Sequence, residues 1–576
     1  MLPEVAGHGG DARQPRVTRL HRRATIQRSK CDDFTQSRGL RKVARRTPLS
    51  CCDLVVFRDA TIPSVRRVLA LATTFAIDGL ASRRVAVEVD LRTGLPAFTI
   101  VGRGDAAVRE SRERVHTALL NSGFAFPQRR ITVNLAPANL RKVGPGFDLA
   151  TACGLLAASE QVPPEHLVRW AVFGELSLSG ELRHCRGVLA VAEGTKRAQI
   201  EGLIVPRECA REAALVEGIV VAGVTSLREV AAILRGGPVP ELPAAPPAAS
   251  TPSRADQLPD LADVRGHASA IRALTVAAAG GHNLLLSGPP GTGKTMLARR
   301  LPSILPPLSR AEAIAVTRIH SIAGLYVGGD LISRRPLRAP HHTISASGIV
   351  GGGAVPTPGE ASLAHHGVLF LDELSEFSRS ALEALRQPLE DGVVTIVRGQ
   401  RTVLFPTRFQ LIASTNPCPC GMAGDERCKC SDGEIARYRR KLSGPLLDRM
   451  DLLVHMDRPT PEQLESGPVT TSAEIRAAVD AARERQAARL AGSGVLTNAA
   501  MAPRRLRDSA RTDPEARLVL GDAYRQGALS ARGHERILRV ARTVADLDDS
   551  DQVRADHVKE ALTMRQDVIR DEALAA

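Results

Sequence analysis

Residues 283–301 read NLLLSGPPGTGKTMLARRL: an apolar run, a glycine-rich loop and the opening of a helical pattern. The run Asn283–Leu286 has the length and character of a buried strand. Gly288, Pro289, Pro290, Gly291, Thr292, Gly293, Lys294 and Thr295 follow the spacing G-x-x-x-x-G-K-[ST]. Between a strand and a helix, that spacing cradles phosphates. The glycines let backbone N–H groups turn inward, and the helix N-terminus adds its dipole. Lys294 is placed to reach the β- and γ-phosphates of ATP, and Thr295 to hold Mg²⁺. The plain alternative is a glycine-rich turn with no ligand.

Two later stretches favour the phosphate reading. Val368-Leu-Phe-Leu runs into Asp372 and Glu373, with Asp372 standing 78 residues beyond Lys294. A buried strand ending in two carboxylates puts them at the carboxyl edge of a sheet, where open α/β folds bind ligands. Asp372 is expected in the magnesium shell, and Glu373 to orient or deprotonate the attacking water. A third strand-like run, Phe409–Ser414, ends at Thr415 and Asn416. An asparagine at a strand end is commonly a turn former. Its place after the Asp-Glu strand makes Asn416 a candidate for sensing the γ-phosphate and holding the water.

Around this centre the chain has 576 residues, 43% hydrophobic and 24% charged. At ~150 residues per domain that suggests three or four domains. No apolar stretch approaches the ~20 residues of a spanning helix, so a membrane partner is not expected. Net charge is +15, but residues 1–67 carry +9 of it. Arginine outnumbers lysine 69 to 8, which fits a GC-rich coding sequence as well as phosphate binding. Aromatic residues are 3%, which argues against nucleic-acid recognition by base stacking. Among ten cysteines there is no disulfide framework of the kind small secreted domains use, and a reducing cytoplasm is the expected setting. Arg66-Arg67 before the apolar run Val68–Ile77 superficially resembles a twin-arginine export signal, but the run reads better as a first strand.

The expected organisation has five parts. Residues 1–67 are Arg-rich and without period, either disordered or an extension from a misassigned start. Residues 68–235 are mixed α/β, with Val85, Val87 and Val89 alternating as in a half-buried strand. Residues 236–256 form a Pro/Ala linker, residues 257–470 a second α/β domain, and residues 471–576 carry helical patterns only, as in a lid.

The motifs GPPGTGKT, GVLFLDE, STNPCPCG, SGPLLDRMD and LSARGHERILRVARTVADL together resemble the magnesium-chelatase-like AAA+ ATPases, and within them the ComM/YifB group. GLPAFTIVG, ESRERV, RRITVNLAPANLRKVGPGFDLA and FGELSLSGELR extend the resemblance through the first half, so that it covers about residues 68–570. The fold it implies is α/β: a P-loop AAA+ core with a C-terminal helical lid, preceded by a domain similar to the Lon-protease C-terminal (ribosomal S5 domain 2-like) fold. In that comparison Gly146 falls at the protease serine and Leu189 near its lysine, so peptide hydrolysis by that mechanism is not expected. The resemblance also makes Asn416 the sensor-1 residue and Arg449 an arginine finger given to a neighbouring subunit. It makes Arg532 the first sensor-2 candidate and Arg536 the second, although Arg532 could be one more solvated helix arginine. The implied assembly is a homohexameric ring that moves along DNA, by branch migration in recombination or natural transformation. The alternative is a protein- or metallocofactor-remodelling ATPase of the chelatase or Lon type.

Two features lie outside the nucleotide site. Cys418, Cys420, Cys428 and Cys430 form C-x-C-x7-C-x-C, with Gly421 and Gly424 between them. They could close tetrahedrally on a structural Zn²⁺, or stand as reduced thiols or a redox pair. The β-rich runs Val393–Val397 and Thr402–Phe405 flank Arg398-Gly-Gln-Arg401. An arginine-tipped hairpin here resembles the pore hairpins with which related rings grip a DNA backbone. The insert 338–353 sits where that clade carries another pore loop, and its His341 and His342 are assigned no catalytic role.

Overall fold

The structure is a computed structural model that describes residues 68–242, 258–326, 328–398, 401–423, 426–441, 444–527 and 529–573. The expected extension 1–67, most of the linker and Gly424 lie outside the described residues.

Two sheets organise the chain. The first has seven strands. Its long hairpin pairs β1 (Val68–Asp78) with β2 (Ala81–Arg92) from Val68 opposite Leu91 to Asp78 opposite Ala81. The chain turns at Gly79, whose φ is +64°. The sheet continues with β3 (Ala97–Val101), β4 (Arg130–Ala136), β5 (Trp170–Val172), β6 (Gly202–Pro206) and β7 (Val220–Val224), in the order β3-β4-β2-β1-β5-β6-β7. Val85, Val87 and Val89 are fully buried, as their alternation requires. Helices α1 (Ala106–Asn121) and α2 (Asp148–Ala158) contribute to the same core, while α3 (Val188–Arg197) packs against β1 and β2. The Asp105 carboxylate caps α1 by accepting from the Val108 N–H at 3.0 Å. There is no room for a side chain at Gly146, because a Cβ there would lie 2.5 Å from the Phe173 ring. Leu189 is fully buried on α3.

The second sheet has five strands, all parallel: β8 (Leu284–Ser287), β9 (Leu337–Arg338), β10 (Val368–Leu371), β13 (Gln410–Thr415) and β14 (Leu452–His455). A separate hairpin, β11 (Val393–Arg398) with β12 (Arg401–Pro406), stands between β10 and β13 in the chain. The spatial order is β9-β10-β13-β8-β14, so β8 lies between two strands from much later in the chain. Strands β10 and β13 are buried at every position, as expected for a parallel sheet covered on both faces. The helical pattern after the loop is broken: α4 (Ala268–Gly280) precedes β8, α5 is only Lys294–Ala298, and a new turn begins at Leu301.

Beyond residue 470 the described elements are helices. They include α8 (Ser472–Arg489), α9 (Ala531–Leu547) and α10 (Ala555–Ala573); α6 (Arg310–Ala323) and α7 (Ala346–Val350) come earlier. The C-terminal helices share one apolar cluster with α4, β8 and β10. Polar ties fix the seam. Gln486 Nε2 donates to the Ala279 carbonyl at 3.0 Å, Arg565 to that of Met450 at 2.6 Å, and His282 Nε2 meets Thr543 Oγ1 at 2.8 Å. At its centre the fully buried Asp546 accepts from Arg489 at 2.6 and 2.7 Å, Arg542 at 2.9 Å and Asn498 at 2.8 Å. A buried carboxylate so saturated holds its helices in one arrangement. No helix among the described residues is long and apolar enough to cross a membrane.

The first sheet's body meets the second through α6 and the segment that follows it. Arg318 donates to Glu193 at 2.9 Å, Arg211 to Asp330 at 2.8 Å, and Ser321 to the buried Glu212. Burial pushes the Glu212 carboxyl above its ordinary range, and the bonds from Ser321 and the Leu189 N–H pull back.

Candidate functional site

All strands of the second sheet point the same way, so its carboxyl edge gathers the residues just after β8, β10 and β13. Leu371 pairs with Ala413, and Ser287 pairs with Thr415. This register sets Asp372 level with Ser414, and Asn416 level with Gly288. The Gly288 N–H donates to the Thr415 carbonyl at 3.3 Å.

The loop from Gly288 to Gly293 then folds into the start of α5. Gly288 is needed where it stands, since a Cβ would sit 2.2 Å from the Met456 carbonyl oxygen. Gly293, at φ +84°, turns the chain into the helix. Thr292 Oγ1 closes the loop on the Pro289 carbonyl at 3.0 Å. Lys294 Nζ donates to the carbonyls of Gly288 at 2.7 Å and Pro289 at 2.8 Å, so its ammonium lies inside the loop. Burial lowers the lysine pKa, while the charges of Asp372 and Glu373 act the other way.

Thr295 Oγ1 donates to Asp372 Oδ2 at 2.8 Å, joining two motifs 77 residues apart in the chain. The other Asp372 oxygen accepts from Ser414, whose Oγ accepts the Glu373 N–H at 3.2 Å. Glu373 has φ +54°, a left-handed backbone that redirects the chain immediately after Asp372. Hydroxyl, carboxylate and ammonium therefore converge at one strand edge, with a second carboxylate beside them. That is an arrangement able to hold a divalent cation and a phosphate chain, and to orient a water next to them.

The structure does not bring the predicted arginines to this edge. Arg449 precedes β14, whose Leu452 pairs with Leu284 at the start of β8. It therefore lies at the amino edge of the sheet, a strand length of ~13 Å from the phosphate loop. Arg449 pairs with Glu390. Burial lowers its pKa, and the charges of Arg386, Arg532 and Arg536 reinforce the effect. Arg532 and Arg536 lie 3.9 and 4.0 Å from the Asp448 carboxylate. Arg532 is 77% exposed at its side chain and Arg536 only 10%.

The four cysteine sulfurs at 418, 420, 428 and 430 lie within 4.8 Å of one another, the one such cluster among the described residues. Cys418 is 3.4 Å from Cys420 and 3.9 Å from Cys428, and Cys420 is 3.7 Å from Cys428. Tetrahedral thiolates at ~2.3 Å from zinc sit about 3.8 Å apart, so the donor set fits that metal. Backbone N–H groups of Lys429 and Met422 draw the Cys420 thiol down to about 6. The cluster also abuts the phosphate loop: at Gly421 (φ +80°) a Cβ would lie 2.5 Å from Pro290 Cδ.

Arg398 pairs in register with Arg401 at the hairpin end, and the Arg398 side chain is exposed. One hairpin face buries Val394, Ile396, Val403 and Phe405 against Leu80 and Val350. Sequence reasoning missed Ser414, Glu390 and the approach of His342 to Glu373. Ser414 carries a signal that could have been read, a hydroxyl one position before the strand end. The other two depend on long-range packing.

The chain matches three family models: "Magnesium chelatase, subunit ChlI" over residues 260–464, "Subunit ChlI of Mg-chelatase" over 87–209, and "Magnesium chelatase, subunit ChlI C-terminal" over 469–565. It is 41% identical over 500 residues to the uncharacterised protein YifB of Escherichia coli, covering 86% of this chain and 97% of that one. To the competence protein ComM of Haemophilus influenzae it is 42% identical over 503 residues, covering 86% and 97%. A more distant likeness, 28% over 188 residues, covers 32% of this chain and 38% of the Holliday junction branch migration complex subunit RuvB of Mycolicibacterium vanbaalenii.

Proposed function

This chain belongs to the ComM/YifB-type magnesium-chelatase-like proteins, and from that premise we propose that it is an ATP-hydrolysing AAA+ ring motor acting on DNA. The observation that carries the ATPase reading is the 2.8 Å contact of Thr295 with Asp372, with Lys294 and Glu373 beside it. Thr295 and Asp372 would hold Mg²⁺, which when bound neutralises charge on the β- and γ-phosphates. Lys294 would exchange its loop carbonyls for phosphate oxygens. The Glu373 carboxylate would align a water and accept its proton, and Asn416 would fix that water from the other side of the loop.

Arg449, Arg532 and Arg536 lie at the opposite edge of the sheet from their own phosphate loop. Their service would then be to a neighbour, which supports a closed ring, hexameric by family resemblance. Arg449 is proposed as the finger and Arg532 or Arg536 as its companion. The DNA assignment is supported by the exposed Arg398 at the hairpin end, by the naming of ComM as a competence protein and by the local likeness to RuvB. Zn²⁺ is proposed for the four cysteines, as a staple holding Gly421 against Pro290.

The test is the magnesium-dependent ATPase rate of the assembled full chain, with and without forked DNA. Replacing both Arg398 and Arg401 by alanine should abolish stimulation by DNA and spare the basal rate. Stimulation unchanged in that variant overturns the DNA assignment, and absence of ATP hydrolysis in every assembled state overturns the motor. Stimulation by a protein partner with indifference to DNA would favour the remodelling alternative.

A further inference from the structure

We propose that the cleft between the hairpin and the first sheet's body is an anion site, and that it takes a phosphate group of a single nucleic-acid strand. The inference rests on the DNA reading above and deepens it. The cleft has a volume of about 390 Å³, room for one nucleotide. Its walls are the turn between β1 and β2, the end of α3, α6 and the hairpin strand β12. Arg83 on β2, Arg197 on α3 and Arg318 on α6 bring three guanidinium groups together from distant parts of the chain. Thr402 on β12 adds a hydroxyl.

Side-chain donors exceed acceptors in this cleft. Two carboxylates also line it, but Glu193 accepts from Arg318 at 2.9 Å and Asp78 has a partner of its own. Arg83 and Arg197 pair with no carboxylate among the described residues. Arg197 makes two long bonds, 3.3 Å to Ser82 Oγ and 3.4 Å to the Glu193 carbonyl. Arg318 holds Glu193 through Nη1, while its enclosed Nε has no acceptor. Phosphate oxygens suit planar guanidinium groups left in that state. The walls are also fixed beforehand. At Gly194 on α3 a Cβ would lie 2.2 Å from Ser82 Oγ, and Ser82 donates to the Ala190 carbonyl at 2.6 Å, so the helix rests on the start of β2. Leu404, 58% exposed, gives the cleft an apolar shelf for the sugar or base next to the phosphate. The strand is the favoured source of that phosphate because one wall is the arginine hairpin itself. From Arg401 to Leu404, β12 covers ~10 Å, so a backbone gripped at the hairpin end passes the cleft.

The experiment measures binding of two probes by the full chain, a fluorescein-labelled oligothymidylate and inorganic phosphate. Arg83 and Arg197 are exposed, so Arg83→Ala combined with Arg197→Ala should leave folding and the basal ATPase rate as they are. That variant should bind the oligonucleotide about tenfold more weakly, with a salt dependence reduced by about one unit of slope. Arg112→Ala combined with Arg129→Ala removes the same charge from a different cleft of the first sheet's body and should change neither quantity. Affinity for both probes unchanged in the first variant overturns the proposal. So does an equal loss in the second, since total charge and not the cleft would then be what the strand reads. Loss of phosphate binding alone keeps the anion site and overturns the strand as its source. A native chain that binds the oligonucleotide without hydrolysing ATP removes the motor alone, and unchanged DNA stimulation after loss of Arg398 and Arg401 removes the hairpin contact alone.

Discussion

The two edges of the five-stranded sheet make opposite use of charge. At the carboxyl edge the polar groups satisfy one another within the chain: Lys294 on loop carbonyls, Thr295 and Ser414 on Asp372. At the amino edge Arg386, Arg449, Arg532 and Arg536 crowd together around Glu383, Glu390 and Asp448. Like charges gathered there make Arg449 harder to keep protonated, not easier. A folded monomer has little to gain from such crowding. An anion brought by another protomer would relieve it. The contrast separates a site that is built within the chain from a surface that, under the proposed ring, a neighbour would complete.

The largest expected effect tests this division directly. Arg449→Ala should lower kcat by about 10³-fold or more, as loss of an arginine finger does, with folding and nucleotide binding retained. Glu373→Gln should cost about 10²–10⁴-fold, the range for losing a positioned base. Mixing the two inactive variants is the sharper measurement. Some mixed rings then pair an intact Glu373 with an intact neighbouring Arg449, so activity should reappear; no recovery would mean that both residues serve the same protomer's site. Next comes stability at the seam behind the arginine edge. Asp546→Ala leaves the buried Arg542 and the part-buried Arg489 without their carboxylate and should cost about 3–5 kcal/mol, read as a lowered denaturant midpoint. The smallest effect concerns the carboxyl edge. Cys428→Ser should remove bound zinc, seen by metal analysis of purified protein, and raise KM for ATP severalfold by loosening Gly421 against Pro290.

Most of the carboxyl edge was legible in the sequence. Its residues sit at strand ends or in a loop with fixed spacing, and a parallel sheet converts those positions into one place. Lys294, Asp372, Glu373 and Asn416 needed only that rule. The cysteines at 418, 420, 428 and 430 were legible for a similar reason, since all four fall within thirteen residues. The amino edge was not legible. That Arg449 reaches Glu390 depends on long-range packing around the sheet, and that Arg532 and Arg536 flank Asp448 depends on how the C-terminal helices dock; no local pattern encodes either. His342 was hidden differently: a histidine in a polar insert has many uses, and only the proximity of β9 to β10 in the sheet order puts it beside Glu373. The helical pattern that opens after the loop does not show its own break: α5 ends at Ala298 and a new turn begins at Leu301, although the residues between carry no helix-breaking glycine or proline.

The tight turn at Gly79 has a practical consequence. A Cβ there would meet Val403 at 2.6 Å, and the neighbouring Leu80 roofs the inner face of the arginine hairpin. Shortening the chain to its nucleotide-binding half would strip that roof away and leave Val403 and Phe405 facing water on a two-stranded ribbon, an adhesive patch on an element with no other sheet to lean on. A fragment trimmed for convenience would therefore be prone to clump, and its turnover numbers would describe a hairpin that had lost its bearing.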